Sequence, residues 1–157
     1  MDYALHFSIQ DLGARYAQAI DDDRLEEWPE FFTEKGRYIV TTADNRAQGL
    51  PAALIYATSR GMIRDRVKSL REANIYEGQR YRHVVGTPLV GKAANGALTS
   101  TSSFLVVRIM HTGESTLFAS GVYRDRIEIG GDSEPRIAER MVVLDSQQID
   151  TLLAIPL

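Results

Sequence analysis

No cysteine occurs among the 157 residues. That absence excludes disulfides, thiolate zinc sites, iron–sulfur clusters held wholly or partly by cysteine, and cysteine nucleophiles, and it fits a reducing compartment. Histidine is nearly as scarce: His6, His83 and His111 are the only three, and no two lie within 20 residues of each other. A two-histidine, one-carboxylate iron set with local spacing is therefore missing, and no metal site is expected. No apolar run approaches the ~18 residues of a membrane span, and the opening Met1-Asp-Tyr-Ala-Leu-His-Phe7 has no basic start, so a cytoplasmic chain without a membrane partner is expected. An excess of positive charge is lacking too. With 18 basic against 21 acidic residues and a formal net charge of −3, nothing attracts phosphate globally, and only 60–71 could form a local basic patch. Nucleic acid is not an expected partner. No glycine-rich phosphate loop precedes a helix, since Gly130-Gly131 is flanked by strand-like residues and reads as a hairpin tip. A Gly-x-Ser-x-Gly elbow is also absent, and Ser59 and Ser115 have no evident base nearby.

What is present is the composition of an ordinary globular chain, 44% hydrophobic and 25% charged. At this length one domain spanning 1–157 can bury roughly two-thirds of its unfolded surface without covalent staples. Ile9, Leu12, Tyr16 and Ile20 recur at three- and four-residue spacing, with Asp11, Arg15 and Gln18 on the other side, which predicts an amphipathic helix over 5–21. Asp21-Asp-Asp23 stops it, and Asp23 with Glu26 has the form of a capping box for a second element. In that element Leu25, Trp28, Phe31 and Phe32 form the apolar face. Pro29 has no amide proton to donate and is expected to divide it into two short turns. Gly36 then releases the chain into a strand at 37–42, a polar loop through Asn45 and Gly49, and a short strand at 53–57. Thr58 or Ser59 caps a third helix that carries Ile63, Val67 and Leu70 on one face.

From Tyr81 onward the pattern changes. Apolar and β-branched runs at 81–91, 98–110, 116–129 and 136–145 are separated by Asn95-Gly96 and by turns at 111–114 and 130–133. Parallel strands need crossovers of about a dozen residues, so these short turns imply an antiparallel meander. Arg124, Arg126, Arg136 and Arg140 fall at even positions while Ile127, Ile129, Ile137, Met141 and Val143 fall at odd ones, which predicts a wet arginine face and a dry one. The fold class is α+β: N-terminal helices packed in a curved antiparallel sheet, together a cone.

His83 sits in a strand-like run and admits two roles. Paired with Asp22 or Asp125 and with Tyr16 or Tyr38, it could serve as the general base of a self-sufficient dehydratase or isomerase. In the other role it is satisfied by polar neighbours in the core or at a subunit boundary. Arg60, Arg64, Arg66, Lys68 and Arg71 read either as a solvated helix face threaded with ion pairs or as a protein contact, since arginine and tyrosine are enriched at interfaces and Tyr76, Arg80, Tyr81 and Arg82 follow. Trp28, Phe31 and Phe32 read as a core plug rather than a ligand stack. The segment 149–157 is too apolar for a free tail and is expected either to close the mouth of the cone or to pack against another subunit.

Several segments also carry a resemblance: Trp28-Pro-Glu-Phe-Phe32, Gly49-Leu-Pro51, Arg60-Gly-Met-Ile-Arg-Asp-Arg-Val67, Arg71-Glu-Ala-Asn-Ile-Tyr76 and Arg80-Tyr-Arg-His-Val-Val-Gly-Thr-Pro88. Together with Arg108-Ile-Met-His-Thr-Gly-Glu114 and Phe118-Ala-Ser-Gly-Val-Tyr123, the chain resembles, over nearly its whole length, the small (β) subunit of Rieske-type aromatic-ring-hydroxylating dioxygenases. Terephthalate-type members stand first and salicylate hydroxylase small subunits next. The resemblance implies a cystatin-like, NTF2-like cone and a non-catalytic, structural role. It further implies that the Rieske 2Fe-2S cluster and the mononuclear iron lie in a partner large (α) subunit, within an α3β3 hexamer that contains a β trimer and is served indirectly by a reductase. No catalytic, cofactor-binding or metal residue of the oxygenase carries over to this chain. Trp28, Arg64, Arg66, Tyr81 and Arg82 are the interface candidates.

Overall fold

The structure, a computed structural model, describes residues 2–49, 53–73, 78–146 and 155–157. Helix α1 (Tyr3–Asp21) begins at Asp2, whose carboxylate accepts from the Leu5 amide, and buries Ile9, Leu12, Tyr16 and Ile20 as their spacing predicts. The chain then turns at Asp23, which takes a positive φ, and enters a 3₁₀ helix at Leu25–Phe31. The expected capping box does not form. Asp23 and Glu26 both turn outward to Arg71, and no side chain caps the turn. Pro29 does not divide the element either, because in one short 3₁₀ helix its missing amide and the ring are both accommodated.

Strand β1 (Phe32–Thr42) follows without a break and is longer than expected. Gly36 does not release the chain. It lies in a bulge of β1, where a Cβ would meet the Phe32 Cβ at 2.7 Å and the Thr33 carbonyl at 2.8 Å. Residues 43–47, read as loop, form the short helix α2 (Ala43–Ala47), capped by the Thr42 hydroxyl. Strand β2 (Ile55–Ala57) pairs with β1, and helix α3 (Arg60–Ala73) starts where Ser59 Oγ accepts from the Met62 amide.

The apolar run at 81–91 is split into β3 (Gln79–Val85) and β4 (Leu89–Lys92), which share one edge of β5 (Leu98–Met110). Strands β6 (Ser115–Ile129) and β7 (Pro135–Leu144) complete a seven-stranded sheet of order β2-β1-β7-β6-β5-β3, with β4 also on β5. All pairings are antiparallel except β1 with β7, so the meander closes onto the N-terminal half through one parallel contact. The long sheet curls around α1 and the 3₁₀ helix, and the buried side chains of all these elements form one cluster. At the junction Trp28 is fully enclosed, edge-on to Tyr38 with ring centroids 5.0 Å apart and to Phe32 at 6.1 Å, which makes it the core plug its neighbours suggested. Gly121 allows a close approach of β6 to β7, since a Cβ there would lie 2.2 Å from the Val143 carbonyl oxygen.

Candidate functional site

The interior of the cone is organised by a residue that sequence parity places outside. Between Ile127 and Arg126 on β6, the partner on β7 jumps from Ile137 to Glu139, leaving Ala138 as an extra residue. This bulge reverses the inward parity of β7. Ile137 points in before it; Arg140, Val142 and Leu144 are buried after it. Arg140 therefore leaves the wet face that it was expected to share with Arg124, Arg126 and Arg136 and enters the core opposite Asp125. Arg140 donates from Nε to Asp125 Oδ1 at 2.8 Å and from Nη2 to Oδ2 at 2.7 Å, with both side chains 4% exposed. Its guanidinium also lies 4.2 Å from the Tyr16 ring centroid and 4.0 Å from that of Tyr123, which in turn stacks on Phe104 at 4.2 Å. Burial opposes the charge on Arg140, but the Asp125 carboxylate overcomes it and holds the guanidinium protonated above its ordinary value. Burial raises the Tyr16, Tyr38 and Tyr123 phenols as well, so all three stay neutral.

The second occupant of the interior is the end of the apolar 149–157 segment; of it, 149–154 lies outside the described residues, and Ile155 and Leu157 are buried. Tyr16 and Tyr38 both donate their hydroxyls to the Leu157 carbonyl, at 2.9 and 3.1 Å, and the Leu157 amide donates to Tyr38 at 3.0 Å. Residues 155–157 thus turn inward. A cavity of about 130 Å³ lies between α1 and the sheet.

His83 does not assemble the site expected for a general base. Its Nδ1 lies 2.7 Å from Asp21 Oδ1, and its backbone amide donates to Asp21 Oδ2 at 2.8 Å. Asp22 instead takes the Gln18 amide and Arg24, Asp125 is engaged by Arg140, and Tyr38 is engaged by Leu157. The His83 side chain is completely enclosed and that of Asp21 only 4% exposed, so the pair joins the last residue of α1 to β3 inside the protein. The expected trio of His83, Asp22 and Tyr38 does not assemble; His83 meets Asp21 instead. The choice between neighbouring carboxylates turns on where α1 ends, and the run of three aspartates carries no signal for that.

Of the interface candidates, Trp28 and Tyr81 have no surface to offer: they are 0% and 1% exposed within the chain itself. Arg64 and Arg82 are exposed, Arg64 donating to Glu30 at 2.7 Å and Arg82 lying 3.9 Å from Asp21; Arg66 is half-buried. On the outer face of the sheet, Arg82 borders a patch that sequence reading missed. Val84 pairs with Leu105, and Val107 joins Arg82 to Leu117 across the same strands. Val84, Leu105 and Leu117 are 55%, 43% and 66% exposed. The alternation that would reveal the patch is broken by a bulge in β6 between Ala119 and Leu117.

Among the described residues no three histidine, aspartate or glutamate side chains gather as a metal site, and without cysteine the chain cannot hold a cysteine- and histidine-ligated cluster. No described helix is long and apolar enough to cross a membrane.

Comparison with known proteins agrees with this architecture. The ring hydroxylating beta subunit family matches residues 15–151. The terephthalate 1,2-dioxygenase terminal oxygenase component subunit beta 1 of Comamonas sp. is 46% identical over 149 residues, 95% of this chain and 96% of the relative. The anthranilate 1,2-dioxygenase small subunit of Burkholderia cepacia is 38% identical, over 99% of this chain and 96% of the relative. In three dimensions, the crystal structure of the beta subunit assigned to an aromatic-ring-hydroxylating dioxygenase of Novosphingobium aromaticivorans superposes with a TM-score of 0.89 at 34% identity, covering 99% and 98% of the two chains. The chain belongs to the ring hydroxylating beta subunit family, the small subunits of aromatic-ring-hydroxylating dioxygenases.

Proposed function

We propose that the chain is one cytoplasmic domain that serves as the structural small subunit of a Rieske-type dioxygenase acting on an aromatic carboxylate, with terephthalate the favoured substrate. In this reading the large subunit holds the 2Fe-2S cluster and the mononuclear iron, receives electrons from a reductase, and joins this chain in an α3β3 hexamer with a β trimer. This chain contributes no catalytic residue. The observation that carries the reading is that the groups a general base at His83 would need are already engaged: Asp125 by Arg140, and Tyr16 and Tyr38 by Leu157. The 46% identity to a terephthalate dioxygenase beta subunit supports the substrate class. Assembly would use the Val84, Leu105 and Leu117 patch, with Arg82 at its border and Arg64 and Arg66 as further contacts, because a sheet face this apolar is more stable covered than wet.

Co-expression with its large subunit tests the proposal. The complex is expected to elute as a hexamer containing iron and acid-labile sulfide and to oxidise terephthalate. Leu105→Glu with Leu117→Glu is expected to release the small subunit while leaving its circular dichroism unchanged. A chain that stays monomeric beside the large subunit would sink the assembly reading, and a hexamer inactive on terephthalate but active on another aromatic acid would correct the substrate.

A further inference from the structure

We propose that the cavity between α1 and the sheet is a binding site for a neutral, hydroxylated molecule about the size of one aromatic ring. The walls divide by exposure. Gln10, Ala14, Gly86 and Thr87 are exposed and form a rim, where the middle of α1 faces the connection between β3 and β4. Beneath it, Ile9, Leu12 and Ile127 are buried and give apolar sides, and Ser100, Ser102 and the Asp125–Arg140 pair are buried and give a polar floor. Such a division, apolar walls with a few convergent polar groups, is the ordinary form of a small-molecule site.

Size and charge narrow the ligand. The volume, about 130 Å³, is close to that of an engineered apolar cavity of about 150 Å³ that admits benzene. Arg140 and Asp125 neutralise each other, so the floor offers no uncompensated charge to an ion. A carboxylate would have to lie against Asp125, and an ammonium against Arg140. Each Asp125 oxygen takes one N–H from Arg140 and keeps further acceptor capacity, while the two serine hydroxyls can donate or accept. A hydroxyl group on the ligand meets that floor; an anion does not.

Gly13 gives a second, independent observation. It lines the cavity from the interior of α1, where glycine costs about 1 kcal/mol relative to alanine. Packing does not require it: a Cβ at this position would meet nothing within 4 Å. The space beside Gly13 is part of the way in, and a larger side chain there closes it.

The test uses the full chain with ¹³C-labelled isoleucine methyl groups, because Ile9 and Ile127 lie in the walls and Ile63 lies in the core outside them. Titration with phenol is expected to shift Ile9 and Ile127 saturably and to leave Ile63 in place, and benzoate at the same concentrations is expected to shift none of them. Ser102→Ala should weaken phenol binding about five- to tenfold by removing one hydrogen bond. Gly13→Leu should abolish it with the Ile63 signal unchanged. The proposal is overturned if phenol leaves Ile9 and Ile127 unmoved, if benzoate moves them as much as phenol does, or if Gly13→Leu binds phenol as the natural chain does. The comparison of phenol with benzoate decides the matter on the natural chain even if a variant does not fold.

Discussion

Arg140 and Asp125 meet with both side chains 4% exposed, so their attraction has to offset two desolvations, and the pair is weak evidence of net stabilisation. Removing one partner is another matter, because the survivor is left charged and enclosed. Asp125→Ala is expected to lower unfolding free energy by about 3–5 kcal/mol in urea denaturation. Replacing the pair together, Asp125→Leu with Arg140→Met, should recover most of that loss; a double variant as unstable as the single one would show that shape rather than unpaired charge dominates. Asp21 makes the same argument with hydrogen bonds. It accepts from both the His83 amide and the His83 ring, and Asp21→Ala leaves two enclosed donors unmatched. The expected cost is about 2–4 kcal/mol, with faster hydrogen exchange at the His83 amide.

At the scale of elements, the bulges set the architecture. The extra residue at Ala138 turns Arg140 inward, and the irregular stretch of β1 between Phe32 and Arg37 shifts the register of that strand against β7. Neither is visible in the alternation of residue types, because a strand with an inserted residue reads as two short patterns of opposite parity. Gly121 holds the β6–β7 pair in register by letting the backbones approach. Gly121→Ala would press a methyl group against the Val143 carbonyl, and the expected outcome is a loss of about 2–3 kcal/mol with the damage confined to β6 and β7 in exchange measurements. An unchanged melting temperature would mean that the strands separate without cost. The helices were more legible. Leu12, Tyr16 and Ile20 face inward as their spacing requires, and Ser59 begins α3 as a serine before an apolar stripe should.

For the whole molecule, the three buried phenols make alkaline stability a readout of the filled interior. Burial raises the Tyr16, Tyr38 and Tyr123 pKa values above the ordinary 10.0. A folded pKa above the unfolded one gives stability that is complete below about pH 10 and is lost as pH rises further, since only the unfolded chain can release those protons. The expected result is cooperative unfolding above pH 10, with a block of tyrosinate absorbance appearing together with the loss of near-ultraviolet dichroism. Tyrosinate forming fully in a still-folded protein would show that the interior is open to water.

The sequence by itself determined that cysteine chemistry is absent, where α1 and α3 lie, that a meander follows them, and, through its resemblance, the family. Those properties depend on residue types and short spacings, which a linear reading preserves. Only the tertiary structure decided that Arg140 is a core residue, that His83 answers to Asp21 and not to Asp22, and that Tyr81 is enclosed. Each of these depends on a register shift, the last turn of a helix or the depth of a layer, and a one-residue change in any of them moves a side chain to the other side of the sheet or to another partner.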